Sequence, residues 1–517
     1  MMAVKDETVK IPKSEYGKLL EPARLVEVIV AENARLVAEN KLLRDKVDLL
    51  VRRVFGSSSE KLDINQMTLD IGADFERALN EDGDGPEPPP RPRKKRTLKK
   101  DRLPDDLPEE RITVIPEEVR ADPGAYDCIG SEETVKLDVT PMSFRKVVTV
   151  RPKFIRRESG QAPVIAPAPR QLISGSFASE SLLTRIIVDK YADHQPLYRQ
   201  EQIFARLGIT LSRKTMADWV WRIGDWLRTI YDELGDTLRR ETYLQVDETP
   251  VRYLAPGNGK TKKGYLWVCL APGKGVYLEW HPGRGAECLE GMLNGFRGIV
   301  QNDGYPAYWS YNNKRLRELG LEKLEIGCCW AHARRKFHEA KAESALARDM
   351  LKEIRQLYLV EASLRDAGSS VGQRAAARRE TSKPVLDRMK KRLEQERGWH
   401  LPQSLTGKAI SYTLNLWNEL NVFVEHGEIE IDNNLVENLI RVPALGKKNW
   451  MFFGSKDAGV TNAIIMTVLL NCKMHGINPE EYLKDVLARL PHITNHQARE
   501  LTPAKWLSAR QAKTLTA

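Results

Sequence analysis

The sequence predicts a multidomain α+β protein, and three observations carry that prediction. A heptad-spaced helix lies near the start, two helices joined by a short glycine turn lie in the middle, and a group of β-favouring runs then gives way to helical spacing again. At 517 residues the chain exceeds one ordinary core, so several domains are expected. Lysine and arginine number 81 against 71 aspartates and glutamates, and the net charge of +10 favours a polyanionic partner without identifying it. No apolar run approaches the ~18 residues of a spanning helix. The best, Ala463 to Leu470, has eight and includes Thr467. The N-terminus lacks the apolar middle of a signal peptide. Six cysteines, two of them adjacent (Cys328, Cys329), make no disulfide framework. A soluble, cytoplasmic protein with no membrane partner is therefore expected.

The first segment, 1–62, contains Ile29, Asn33, Leu36, Asn40, Leu43, Val47, Leu50 and Val54 at alternating spacings of four and three. This is a coiled-coil seam in which asparagines at two core positions fix register and favour a parallel pair, so self-association is expected. A lone amphipathic helix packed on its own chain is the alternative. Residues 63–110 form a linker: EDGDGPEPPP cannot build a core, and RPRKKRTLKK, with seven basic residues in ten, is either a solvated spacer or a mobile arm for phosphates. Short alternating runs such as KVVTVRPKF predict a small β module over 111–175.

From 176 to 240 the period is helical. Tyr198 to Leu207 reads as one helix, Gly208 as its stop, and Ser212 as the cap of a second helix through Arg222. Two helices joined this way make a helix-turn-helix-like unit, with Arg213 and Lys214 at the end that would enter a major groove. Many helical hairpins touch no DNA, so the pattern alone is not specific.

Strands follow over 241–339. Thr242 to Val246 ends in Asp247, Gly264 to Leu270 and Gly275 to Trp280 come next, then a helix, then Gly298 to Gln301 leading to Asp303. Three antiparallel strands, a helix and a fourth strand open an RNase H-like fold, in which acids ending the first and fourth strands lie side by side. Alternation points Glu248 away if Asp247 points in. A helical insertion is expected over 340–425, and the rest of the catalytic domain over 426–475. There EIEIDNNLVENLIR offers Asp432 as a helix cap and Glu437 further into the helix, with Asn433, Glu437 and Arg441 on one face. Glu437 is the preferred third acid, because a capping carboxylate is occupied by backbone N–H groups. Such a cluster suits two Mg²⁺ or Mn²⁺ ions. Spacing alone does not separate it from ordinary strand-end acids. Residues 476–517 are read as a C-terminal tail.

The strings LQVDETPV, VQNDGYPAY, CWAHARRKF, EIDNNLVENLIR and GKKNWMFFGS resemble those of bacterial DDE transposases of insertion-sequence family sixty-six. The likeness extends to KYADHQPLYRQEQIFARLGITLSRKTMADWV, GINPEEYLKDVLARLP and FGSSSEKL, nearly the whole chain. The resemblance implies Asp247, Asp303 and Glu437 as catalytic, metal-binding acids with a helical insertion between the last two. It implies double-stranded DNA, element ends and target, as the partner, binding to terminal inverted repeats, a nucleoid-associated location and small accessory proteins of the same element. It also implies two Cys-x-x-Cys pairs upstream, which this chain departs from. The matching positions are Cys128 with Ser131 and Arg156 with Ser159, so no structural zinc is expected there.

Cys329 and His332 have the spacing of zinc ligands, but a second pair is missing, so no metal is expected there. The resemblance to C-x-x-H placements in other DDE transposases implies that His332 supports the acidic site or the DNA. Arg334, Arg335 and Lys336 are read as phosphate contacts or a solvated face. Lys447, Lys448 and Trp450 are read as a DNA clamp or as part of the core, and Arg441 as a DNA contact. Trp267, Trp280 and Ala463 to Cys472 are assigned to the core. The functional expectation is metal-dependent strand cleavage and strand transfer. A DNA-binding relic or repressor without cleavage is the rival, and a structure-specific nuclease the third reading.

Overall fold

The computed structural model describes residues 32, 113, 117–123, 142–154 and 164–516, save 256 and 258. The heptad segment apart from Glu32, the basic linker, Cys128, Ser131, Arg156 and Ser159 lie outside the described residues.

Two compact units are distinguished, one of residues 62–166 and one holding the remainder. In the smaller unit Lys153–Phe154 pairs antiparallel with Val164–Ile165. Residues 142–152, expected to contribute strands, carry no regular structure among the described residues.

The larger unit opens with helices α1 (Glu180–Tyr191), α2 (Leu197–Arg206) and α3 (Arg213–Leu238). Gly208, at φ +78°, makes the turn after α2, a conformation that costs glycine nothing. Ser212 caps α3 by accepting from Thr215 N at 3.1 Å. α3 runs well past the expected end at Arg222, because its apolar stripe continues through Ile223, Leu227, Ile230, Leu234 and Leu238, all buried.

A mixed six-stranded sheet follows. β1 (Tyr243–Leu254), β2 (Thr261–Ala271) and β3 (Gly275–His281) are antiparallel neighbours. After helix α4 (Cys288–Leu293), β4 (Ile299–Asn302) returns parallel to the start of β1. Helix α5 (Ala307–Arg317) leads to β5 (Glu325–Cys328), parallel to β4. Much later β6 (Phe452–Phe453) pairs with the far end of β1, at Arg252 and Tyr253. On that edge β1 therefore pairs at both ends, leaving the stretch around Asp247 between β4 and β6.

From α6 (Trp330–Ala340) to residue 433 every described regular element is helical: α7 (Ala345–Asp366), Val371–Ala377, a π-helical turn at Arg378–Ser382, α8 (Lys383–Glu396), α9 (Leu405–Asn415) and α10 (Trp417–Glu425), with a 3₁₀ turn at Arg397–Trp399. Arg378, fully buried in the π turn, forks onto Glu361 through two 2.7 Å bonds and also donates to the carbonyls of Phe423, His426 and Ile429. All five of its donors are thus satisfied, which is the condition for burying a guanidinium.

Helix α11 (Asn434–Trp450) precedes β6, and α12 (Lys456–Met474) follows it. α12 is buried almost all round, as its apolar sequence requires. Its polar members serve the edge of the sheet: Leu278 N donates to Thr467 Oγ1, and Asn471 exchanges two hydrogen bonds with Val276. Trp267 and Trp280 are buried. Residues after 476 are no loose tail. Helix α13 (Pro479–Arg489) buries Tyr482, Leu483, Val486 and Leu487, and α14 (Pro503–Thr516) contributes buried Trp506. The apolar period in YLKDVLARL is that of a packed amphipathic helix. No helix among the described residues is long and apolar enough to cross a membrane.

Candidate active site

Asp247 and Asp303 reach one place through strand register. β1 and β4 run parallel with Gln245 opposite Gln301, so the positions two residues on, 247 and 303, lie beside each other where β4 ends. Asp303 then begins a turn, its Oδ1 accepting from Tyr305 N at 2.9 Å, and Gly304 supplies the φ of +87°. Asp247 Oδ1 accepts from Glu248 N at 2.7 Å. Burial pushes the Asp247 carboxyl well above its usual range, and the negative charges of Glu248, Asp303 and Glu437 push it further.

Glu437 sits in the first turn of α11. Its position depends on a lattice built on Gln245 and Gln301. Gln245 Nε2 donates to Asp432 O (3.0 Å), Gln301 Oε1 (3.1 Å) and Tyr243 OH (2.8 Å), while its Oε1 accepts from Val436 N (3.1 Å). Gln301 Nε2 donates to Glu430 O at 2.8 Å, and Glu430 N donates to Tyr243 OH. Trp330 N donates to Ile431 O at 3.2 Å. The segment 430–436, which delivers Glu437, is thus tied to the two strands that carry Asp247 and Asp303. Sequence reasoning passed over these glutamines, although both strands carry the same Gln-x-Asp pattern, inside β1 and at the end of β4.

The cap of α11 falls on Asn433, one residue later than expected, and Asn433 makes no side-chain cap bond. Buried Asp432 still accepts from Asn434 N at 3.1 Å, and its other oxygen takes Tyr358 OH at 2.8 Å. Burial raises the Glu437 carboxyl, Arg335 and Arg441 draw it down, and Asp432 and Asp303 push it up.

Glu248 turns to an unanticipated partner. Its carboxylate pairs with Arg284, whose guanidinium lies 3.7 Å over the Tyr305 ring. Burial pushes Glu248 up to about 7 against the pull of Arg284, with Asp303 adding to the rise. Its charge thus stays coupled to the acids even though alternation sends its side chain elsewhere.

Cys329 and His332 do not stand alone. Cys329 caps α6, His332 lies one turn in, and His332 Nε2 approaches Glu437 Oε1 at 3.7 Å. Among the described residues, Cys329, His332 and Glu437 are the one trio of ligating side chains whose donor atoms all lie within 4.8 Å of one another. The three acids do not meet that criterion. Burial pushes His332 down to about 3, with Arg335 and Lys336 adding to the shift, so the imidazole is neutral.

The cations separate into two groups. Arg213 and Lys214 are exposed at the start of α3, as are Arg335 on α6 and Lys448 on α11. Lys336 Nζ lies 4.8 Å over the Tyr412 ring, and Arg334 and Arg441 are half-buried. Lys447 Nζ donates to Thr249 Oγ1 and Pro250 O on β1, and Trp450 stacks on Phe453 at 5.0 Å. Lys447 and Trp450 are half-buried and engaged with β1 and β6.

Residues 175–461 match the family described as "Transposase IS66 family", 467–504 match "IS66 C-terminal element", and 42–112 match "Transposase C of IS166 homeodomain". Relatives from Sinorhizobium fredii (strain NBRC 101917 / NGR234) include "Uncharacterized protein y4qI", 34% identical with 91% of this chain and 89% of the relative covered. "Uncharacterized protein y4jD" is also 34% identical, with 92% and 96% covered. "Uncharacterized protein y4hP" is 30% identical, with 80% and 78% covered.

Proposed function

The chain belongs to the IS66 family of transposases, and from that premise we propose that it cuts and joins DNA at the ends of its element by a DDE mechanism, with Asp247, Asp303 and Glu437 as the acids. The observation that supports this reading is the convergence of the acids: parallel register sets positions 247 and 303 side by side, and the segment leading to Glu437 is hydrogen-bonded to both strands. Burial together with the negative charges of Glu248, Asp303 and Glu437 raises the half-buried Asp247 carboxyl. Such self-repelling oxygens fit a hard divalent cation, which would relieve the repulsion. Asp247, Asp303 and Glu437 would hold Mg²⁺ or Mn²⁺, two ions in the full site, supplying Lewis acidity to the attacking and leaving oxygens of the phosphodiester.

The protein's own contribution is placement. Gln245 and Gln301 fix the approach of α11 to β1 and β4, Arg335 and Arg441 favour the ionised form of Glu437, and Arg284 neutralises Glu248 beside the acids. Three antiparallel strands, a helix and two parallel strands support an RNase H-like reading of this domain. α2 and α3 serve as a helix-turn-helix-like unit, with Arg213, Lys214, Arg335 and Lys448 available to phosphates. Self-association through the heptad segment holds two DNA ends together.

The test combines labelled element-end DNA, Mg²⁺ and a target plasmid. Cleavage followed by joining supports the transposase, cleavage without joining supports a nuclease, and binding without either supports the relic.

A further inference from the structure

We propose that Cys329, His332 and Glu437 form a binding site for a borderline-soft divalent cation of the Zn²⁺ type, and that its occupancy withdraws Glu437 from the catalytic acids. The second half rests on the reading of Glu437 as a catalytic acid; the first does not.

The donors are one sulfur, one imidazole nitrogen and one carboxylate oxygen, the set of a three-ligand zinc site with its fourth position open. A thiolate beside an imidazole discriminates against Mg²⁺, which prefers oxygen ligands. Two donors come from the first turn of one helix and the third from a helix about 100 residues later in the chain, so the site exists only in the folded protein.

Three further features fit an ion. Glu437 Oε1 and His332 Nδ1 are buried without hydrogen-bond partners. Cys329 Sγ accepts from Asn433 N at 3.5 Å, and the His332 backbone N–H also serves it, the outer-shell support a bound thiolate needs. The segment that sets Asn433 and Glu437 is strapped to the sheet by Gln245 and Gln301, which pre-forms the spacing. Binding would expel the Cys329 thiol proton to solvent and form the sulfur–metal bond in its place.

The experiment uses the full chain with Co²⁺ as the optical probe. One equivalent should produce a thiolate-to-metal charge-transfer band that Zn²⁺ abolishes and excess Mg²⁺ does not. The band should vanish in Cys329→Ala and persist in Cys128→Ser, Cys328→Ser and Asp303→Asn. In Mg²⁺-dependent cleavage, Cys329→Ala should need more than about 100-fold more Zn²⁺ for the same inhibition. A wild-type protein with no band overturns the site without reference to any variant's folding. A band that survives Cys329→Ala, or that is lost in Asp303→Asn, places the metal elsewhere and also overturns it. Zn²⁺ bound at Cys329 without inhibition overturns the regulatory half. If Asp247→Asn and Asp303→Asn still cleave, the acid assignment fails while the optical result stands by itself.

Discussion

Replacing Gln245 by leucine removes the centre of the lattice that joins β1 and β4 to the helix of Glu437. Gln245 is fully buried and makes four hydrogen bonds, two of them to the backbone groups Asp432 O and Val436 N. Leaving each of these buried groups without that partner costs about 1–3 kcal/mol, so Gln245→Leu should destabilise the protein by about 2–6 kcal/mol. The effect on catalysis should exceed the effect on folding. The segment 430–436 would shift against β1 and β4, and a displacement of ~1 Å between reacting groups costs ~100-fold in rate. Gln245→Glu keeps an acceptor for Val436 N but loses the donor to Asp432 O, and should fall between wild type and leucine. Urea unfolding and single-turnover cleavage, measured at a temperature where every variant is folded, separate the two effects. Wild-type cleavage by a folded Gln245→Leu protein would refute the positioning role.

Three other outcomes are expected. His332 has a folded pKa of about 3, below its unfolded value of roughly 6.5. The unfolded chain therefore binds more protons in that window, and stability falls as pH drops below the unfolded value. Between pH 7 and 5 the loss from this group should be about 2 kcal/mol, and His332→Gln should flatten that part of the thermal-stability profile; an unchanged slope contradicts it. Arg378→Met leaves Glu361 buried without its forked partner, and should lower stability by roughly 3–5 kcal/mol by urea titration. Lys448→Ala should weaken DNA binding and reduce the salt slope of affinity by about one. Lys447→Ala should instead lower stability with little change in that slope, because its ammonium is bound to β1; equal slopes for the two variants would contradict the distinction.

Much of this site was legible because it depends on local rules. Turn chemistry sets Asp303 just past the end of β4, whereas Asp247, expected to follow a strand end, lies inside β1, which stays paired with β2 as far as Leu254. The repeated Gln-x-Asp pattern was there to be read. The cap Ser212 and stop Gly208 follow from side-chain and backbone preferences, and both are observed. What escaped depends on distant partners. The spacing Cys329-x-x-His332 gives no hint that its third neighbour is Glu437, which only the strapping of 430–436 to the sheet brings close. Glu248 finds Arg284 across a separation that no local pattern encodes. Lys447 and Trp450 carry a composition that suits a nucleic-acid clamp or a core equally, and their contacts with β1 and Phe453 depend on partners that composition does not encode. The end of α3 at Leu238 and the packed helices after 476 were written in apolar periodicity that continues past the motifs.

The most direct test of the central claim is end cleavage and joining by wild type, Asp247→Asn, Asp303→Asn and Glu437→Gln, each matched for folding and end-DNA affinity. Wild type should cleave and join with Mg²⁺, and all three variants should lose both while retaining binding. Cleavage that survives Glu437→Gln would contradict the choice of the third acid, and cleavage that survives either aspartate variant would contradict the DDE mechanism itself.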